Sequence, residues 1–361
     1  MKENAGIWAP RLASVFVLLH ALSASAVTRY VDDDSASPQS PYTNAAHAAT
    51  TIQAAVDVSV SNDVILVSAG TYDTGTRVVD GSMKNRVVID VPVTVRGVDG
   101  RDVTIIKGVG PAGNSAVRCV WLGPHATLDG FTLKNGHTRK DGDVTTEQSG
   151  GGVWCYYQPG VLVTNCIITD CVGYRNGGGA MGGEFRNCRL EANTVPCGTS
   201  FAGDGGGAFG ATLYDCVVID NFSEDEGGGL YRSTAYRCVI DGNESREGGG
   251  MHWATATACV IRDNRGMFGG GVDYCQLTDC LVYGNTASYR GGGASGGNLI
   301  NCTVVSNSAY YTAGVYGGEF HNCIIWGNIG TTNVNWDGTW TLLTHNPFWR
   351  HSEAELALNR C

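Results

Sequence analysis

From about residue 150 onward the apolar positions of the chain recur with a long, nearly constant period. Cysteine stands at 166, 188, 216, 238, 259, 280, 302 and 323, in steps of 21 or 22 residues with one of 28. Two residues after each cysteine the chain is aliphatic, as at Ile168, Leu190, Val218, Ile240 and Ile325, whereas the residue between is unrestricted and includes Arg189 and Thr303. That alternation puts the cysteine and the aliphatic residue on the inward face of a short strand. A Gly-Gly-Gly run opens 11 residues before the cysteine at 177, 205, 227, 248, 269 and 291, and degrades to Thr312-Ala313-Gly314 in the last repeat. The residue that follows is always apolar (Ala180, Ala208, Leu230, Met251, Val272, Ala294, Val315) and is expected to face inward on a second strand. Asparagine falls five residues after the cysteine in every repeat but the first, where Cys171 stands. No 3.6-residue periodicity appears within the array.

A self-repeat of this length is the mark of a stacked solenoid. The leucine-rich and calcium β-roll consensus patterns are missing, and the prediction is an all-β, single-stranded right-handed parallel β-helix. Each repeat forms one coil of two or three strands. At about 4.8 Å per coil, Cys166 to Cys323 spans about 34 Å. The asparagine column is expected at a turn, where its amides bond to backbone groups and to each other along the stack. The glycines suit a corner where the chain bends sharply or runs close to the next coil.

The ends of the array differ from its middle. Ile52, Ala55 and Val56 follow helical spacing behind Thr50 or Thr51, so a short helix is expected to cover the first coil. The β-helix domain is placed at 27–330, with a capping region at 27–75, irregular first coils at 76–149 and regular coils at 150–330. The tail at 331–361 carries Trp336, Trp340, Phe348 and Trp349 and is expected to close the far end. Residues 1–26 read as a secretory signal: Lys2 and Arg11, the apolar stretch LASVFVLLHAL, then ASA before Val27. The apolar stretch is too short to span a bilayer, so a secreted or cell-surface protein without a transmembrane segment in its mature chain is expected.

Composition narrows the function. A net charge of −10 with only 16% charged residues does not suit a nucleic-acid binder. Fourteen cysteines in an exported chain raise the question of disulfides. In-register stacking disfavours the disulfide torsion within the column, so those eight are read as buried thiols. Cys119, Cys155, Cys171, Cys197, Cys275 and Cys361 lie off the column and are the better disulfide candidates. The glycine runs lack the Gly-Lys-Ser/Thr of a phosphate loop, and no Cys-x-x-Cys or histidine pair has zinc spacing.

The helix followed by AGTY, the segment GFTLKNG, and repeats that pair Gly-Gly-Gly-apolar with aliphatic-x-x-Asn carry a resemblance. Over residues 28–330 the chain resembles the pectin lyase-like superfamily of right-handed parallel β-helices, most closely secreted bacterial members with polymorphic outer membrane protein-like repeats. That repeat class usually has Phe-x-x-Asn, whereas this chain has an aliphatic residue, as in Ile240 to Asn243. Its autotransporter members end in a membrane barrel; the 31 residues at 331–361 are too few for one, so display through such a barrel is not expected of this sequence. The resemblance implies the fold far more than an activity.

Candidate chemistry lies where successive coils differ. The second residue after Gly-Gly-Gly is expected to face solvent and brings Tyr231, His252 and Asp273 into line, with Arg232, Trp253 and Tyr274 beside them. Just before the glycines stand Asp204, Asp225, Glu226, Arg246 and Glu247. Carboxylates about one strand spacing apart can hold calcium, and Asp204, Asp225, Glu226 and Glu247 form the candidate set. Exposed aromatic rings suit a sugar face, which makes Tyr231, Trp253, Tyr274 and Arg246 the candidate binding residues. Arg232, His252 and Asp273 are the candidate catalytic groups. The competing reading is a solvated ridge of mixed charge that shields the sheet. By the resemblance, a lyase would use acidic calcium ligands with an Arg or Lys base. A hydrolase would need His-Gly and Arg-x-Lys segments, which the array lacks. Two functions follow: a structural, adhesive or carbohydrate-binding module with a polysaccharide or surface partner, or a calcium-assisted lyase acting on an acidic polysaccharide.

Overall fold

The computed structural model describes residues 25–196, 203–332 and 334–337. Three long sheets carry the molecule, of 12, 11 and 12 strands, and almost every neighbouring pair is parallel. The first runs from Thr28–Val31 to Glu319–His321, the second from Gly70–Tyr72 to Ile324–Trp326, and the third from Arg77–Val78 to Trp336–Asp337. One coil contributes one strand to each. Thr234–Tyr236 lies in the first sheet, Val239–Asp241 in the second, and the next coil repeats them at Thr255–Thr257 and Val260–Arg262. The register holds without slip over the repeats, as Ile240 opposite Val218 and Ile261 shows. The fold is the expected right-handed parallel β-helix.

The corners on either side of the second sheet are each made by one residue in the left-handed region. The residue before the column cysteine has φ near +50° in all eight coils, and it is Asn or Asp in six of them, Asn165, Asn187, Asp215, Asp279, Asn301 and Asn322. A second left-handed corner precedes the asparagine, at Asp170, Ala192, Asp220, Gly242, Asp263, Gly284, Ser306 and Gly327. Short polar side chains and glycine tolerate this region best. These two columns escaped the sequence reading, although Asn, Asp and Gly at fixed offsets were their signal.

The three glycines have different reasons. The first is left-handed, with Gly227 at φ +61° and Gly248 at +63°. The second and third leave no room between coils. A Cβ on Gly228 would come within 2.3 Å of the Glu244 carbonyl oxygen, and one on Gly229 within 2.6 Å of the Gly250 carbonyl oxygen.

Inside the stack, Asn193, Asn221, Asn243, Asn264, Asn285 and Asn307 form a ladder at no more than 1% exposure. Asn243 Oδ1 accepts from the Asn221 main-chain N–H at 3.0 Å and from Asn221 Nδ2 at 2.9 Å. Its own Nδ2 donates to the Val218 carbonyl oxygen at 3.0 Å and to Asn264 Oδ1 at 3.0 Å. The column cysteines pack as thiols, with Cys238 N–H pointing at Cys259 Sγ at 3.3 Å.

The disulfide expectation for the off-column cysteines is corrected. Cys119, Cys155, Cys171 and Cys275 are all buried free thiols, while Cys197 and Cys361 lie outside the described residues. Each fills a core position and behaves as a small apolar side chain. Burial pushes the Cys155 and Cys275 thiols up to about 12.

The amino-terminal cap is a helix at Ile52–Val56, with the Thr51 hydroxyl accepting from Ala54 N–H at 3.2 Å. Ile52, Ala55 and Val56 seal the first coil. At the other end Trp336 packs against the core from the last strand of the third sheet, and Trp340, Phe348 and Trp349 lie outside the described residues, as do nearly all residues of the signal segment.

Candidate functional site

The third sheet presents an outward column that changes character along the stack. Its first members are apolar: Val88, Trp121, Trp154 and Met181 form a second hydrophobic cluster on the outside of the barrel. The two indole rings stack at 5.7 Å, and Trp154 Nε1 donates to the Thr145 carbonyl oxygen of the covering segment at 2.7 Å. Phe209, Tyr231, His252, Asp273 and Ser295 continue the column, one per coil, in unbroken register. The sequence placed these side chains in solvent, and the structure corrects this. They face away from the core, yet Tyr231, His252 and Asp273 are 6%, 1% and 2% exposed. A wall built from the turns between the second and third sheets flanks them. Its bridges run Asp204 to Glu226, Glu226 to Glu247 and Glu247 to Phe268.

Between the column and that wall, charged groups meet. His252 Nδ1 lies 3.5 Å from Asp273 Oδ2, and His252 Nε2 lies 3.8 Å from Glu226 Oε2. Glu226, Glu247 and His252 each bring one donor atom to within 4.8 Å of the others. Arg246 pairs with Asp225 and, at 3.2 Å, with Glu247 Oε1. Burial, reinforced by the Glu226 and Asp225 charges, raises the Asp204 carboxyl to about 7. Burial also raises Asp273 to about 6, lowers His252 to about 4 and, with Asp204 and Glu226 beside it, raises Tyr231 to about 12. The imidazole is therefore neutral near pH 7, and Asp204 holds its proton far more readily than an ordinary carboxyl.

This arrangement divides the expected four-carboxylate calcium set. Asp225 makes the closer of the two Arg246 ion pairs and Glu247 the looser one, and Asp204 is poised to hold a proton. Glu226 and Glu247 remain, joined by an imidazole that the sequence reading had assigned to catalysis instead.

The residue that follows the outward column turns the chain into the first sheet, again with positive φ. Four coils use glycine there, Gly182, Gly210, Gly296 and Gly317. Three successive coils use Arg232, Trp253 and Tyr274 at φ 48°, 48° and 49°. A bulky residue in this region costs roughly 1–2 kcal/mol. The three side chains stand outside the barrel, with Trp253 57% and Tyr274 52% exposed. Their rings stack at 5.2 Å and 10° between planes. Arg232 lies over the Tyr231 ring at 5.3 Å and lines an open cavity of about 510 Å³ with Tyr156, Tyr157, Phe209 and Gly210. Of the expected binding residues, Trp253 and Tyr274 are thus placed together in solvent, Tyr231 is buried between Phe209 and His252, and Arg246 belongs to the acidic wall. Tyr156 and Tyr157 escaped the sequence reading because they fall in a loop of the first regular coil, outside any column.

No protein-family model matches the chain, and no curated protein matches its sequence. Solved structures with a similar chain path include pectate lyase Pel9A, at 13% identity over 88% of this chain and 79% of that one, with a TM-score of 0.49. The A-module of a mannuronan C-5 epimerase from Azotobacter vinelandii is similar at 13% identity, 80% and 90% coverage and a TM-score of 0.43. A pectin methylesterase in complex with a hexasaccharide is similar at 12% identity, 70% and 81% coverage and a TM-score of 0.37. Among the described residues no helix is long and apolar enough to cross a membrane.

Proposed function

We propose that this pectin lyase-like β-helix is an exported saccharide-binding module that seats a sugar chain along Arg232, Trp253 and Tyr274. The observation that carries the reading is the pair of exposed, parallel rings on left-handed corners. Neighbouring coils turn the same corner with glycine, so the fold does not require aromatic side chains there. Non-glycine residues do occupy left-handed corners elsewhere, as Arg237 and Ala258 do, but three successive bulky side chains at a corner that four other coils make with glycine single this one out. The outer faces and edges of the stacked pair can meet the apolar C–H faces of pyranose rings, and a guanidinium at one end donates to hydroxyl or carboxylate oxygens. The pocket of Tyr156, Tyr157 and Phe209 extends the same edge beyond Arg232. Export rests on the composition of residues 1–26.

Isothermal titration with neutral and acidic oligosaccharides tests the reading. At least one class is expected to bind, and Trp253→Ala is expected to weaken it at least tenfold. Binding that Trp253→Ala and Tyr274→Ala both leave unchanged would refute the reading.

A second reading is favoured by the cluster of displaced proton affinities at Asp204, His252 and Asp273, because such clusters serve acid–base chemistry. In it the wall acts on the bound chain as a cation-assisted lyase of acidic polysaccharide, with Arg232 and His252 in the reacting groups. It requires unsaturated sugar products that disappear in Arg232→Ala and His252→Ala. Retained binding with no turnover across an acidic polysaccharide panel, with and without added calcium, would leave the module reading alone.

A further inference from the structure

His252 is buried, its ring nitrogens find no well-formed hydrogen bond although the Glu247 backbone lies beside the ring, and Asp273 Oδ1 has no partner. Unused polar atoms this deep cost free energy unless something binds them. The ring is aimed at a specific place. Nε2 faces Glu226, Nδ1 faces Asp273, and Glu247 completes a three-donor group with Glu226 and the imidazole. A carboxylate behind one imidazole nitrogen, with further carboxylates in front of the other, is the arrangement that orients histidine towards a metal.

We propose that Glu226, Glu247 and His252 Nε2 bind a divalent transition cation of the zinc class, with Asp273 fixing the ring from the Nδ1 side. Calcium fits this group poorly, since it takes six to eight oxygen ligands, whereas imidazole with carboxylates suits zinc, cobalt or manganese. Ligand atoms about 2.0–2.2 Å from a tetrahedral zinc ion stand about 3.3–3.6 Å apart. The present 3.8 Å from Nε2 to Glu226 and the 4.8 Å limit for the group need only small rotations of two half-buried glutamates. Arg246 holds Glu247 by Oε1, which keeps that carboxylate in place. Three protein donors leave a coordination position for another oxygen. The imidazole ring lies 6.0 Å from the Trp253 ring and 6.2 Å from the Tyr274 ring. The metal site does not depend on sugar binding, because its donors are complete without the strip.

Titration of metal-free protein with cobalt(II), followed by absorption and by calorimetry without saccharide, tests this. One equivalent is expected to bind, with the weak visible bands of nitrogen and oxygen ligation and no thiolate charge-transfer band. His252→Gln is expected to abolish uptake, and Asp273→Asn to weaken it by about 10- to 100-fold. The exposed Glu244→Gln is expected to change nothing. Should His252→Gln fail to fold, Glu226→Gln decides, since that side chain is half-buried and its loss leaves the column intact. No uptake by the wild type, a thiolate spectrum, or unchanged uptake in Glu226→Gln overturns the proposal. Saccharide titrations of the metal-free protein report separately on the aromatic strip.

Discussion

Replacing Asn243 by alanine removes one rung of the internal amide ladder, and the consequences can be counted. Asn243 Oδ1 is the acceptor for the Asn221 main-chain N–H and for one amide hydrogen of Asn221. Both donors are buried, and alanine offers neither a replacement. The Val218 carbonyl also loses a donor, although the same strand ladder continues past it. Two orphaned buried donors at roughly 1–3 kcal/mol each give about 2–6 kcal/mol of lost stability. The exposed corner asparagine Asn322 supplies the comparison. Its amide bonds to Asn301 Oδ1 at 2.7 Å, but its left-handed φ of 52° suits glycine, so Asn322→Gly is expected to stay within about 0.5 kcal/mol. Urea unfolding of both variants reads the difference. Solenoids can unfold in parts, so native-state hydrogen exchange at the Asn221 amide should accompany it. A loss below about 1 kcal/mol for Asn243→Ala, or one no larger than that of Asn322→Gly, would show that the ladder does not contribute as its geometry requires.

Other expectations follow from the same geometry. Gly228→Ala would push a Cβ to 2.3 Å from the Glu244 carbonyl oxygen, and thermal unfolding is expected to fall by more than the 1–3 kcal/mol or so typical of overpacking. The buried column thiols should resist a water-soluble disulfide reagent in the native protein and react on unfolding, with peptide mapping at Cys238 and Cys259 as the readout; rapid native labelling there would contradict the closed core. Asp63 lies below its ordinary value of 3.8: burial opposes this, but the Val60 and Val27 N–H donors and the Arg29 guanidinium outweigh it. Because the folded value is the lower one, its stabilisation is complete above the unfolded value and is lost as pH falls towards the folded one. Unfolding midpoints should therefore drop less steeply in Asp63→Asn as pH falls below the ordinary carboxylate value of 3.8, and this variant should itself be about 3–5 kcal/mol less stable at neutral pH because the buried Arg29 loses its counter-charge.

Much of the fold was legible because a stacked coil repeats its constraints. Cys238 and Ile240 alternate as inward residues, the apolar residue after each glycine run fills the core, and the asparagines bond to the next coil, so each column announced its place. The corner columns were legible in principle, but Arg237 and Ala258 interrupt the run of Asn and Asp and obscure it. The site was only half legible. Its residues were identified because they break the repeat, and Trp253 and Tyr274 do lie together in solvent. Burial of His252 and Asp273 was not legible, because the turns that cover them are set by backbone bridging of Glu226, Glu247 and Phe268 and leave no side-chain pattern. For the same reason, sequence spacing could not show that Arg246 withdraws Asp225 from the carboxylate cluster.

The central claim is that the regular columns build the β-helix while Arg232, Trp253 and Tyr274 bear backbone strain to bind a ligand. The triple variant Arg232→Gly, Trp253→Gly and Tyr274→Gly tests it most directly, because it gives these corners the residue used in four other coils. Unfolding and oligosaccharide binding should be measured on the same preparation. The account expects binding to be lost while the unfolding midpoint stays level or rises, since relief of roughly 1–2 kcal/mol per corner offsets the lost ring contacts. Wild-type binding by the variant, or a fall in stability as large as that of Asn243→Ala, would contradict it.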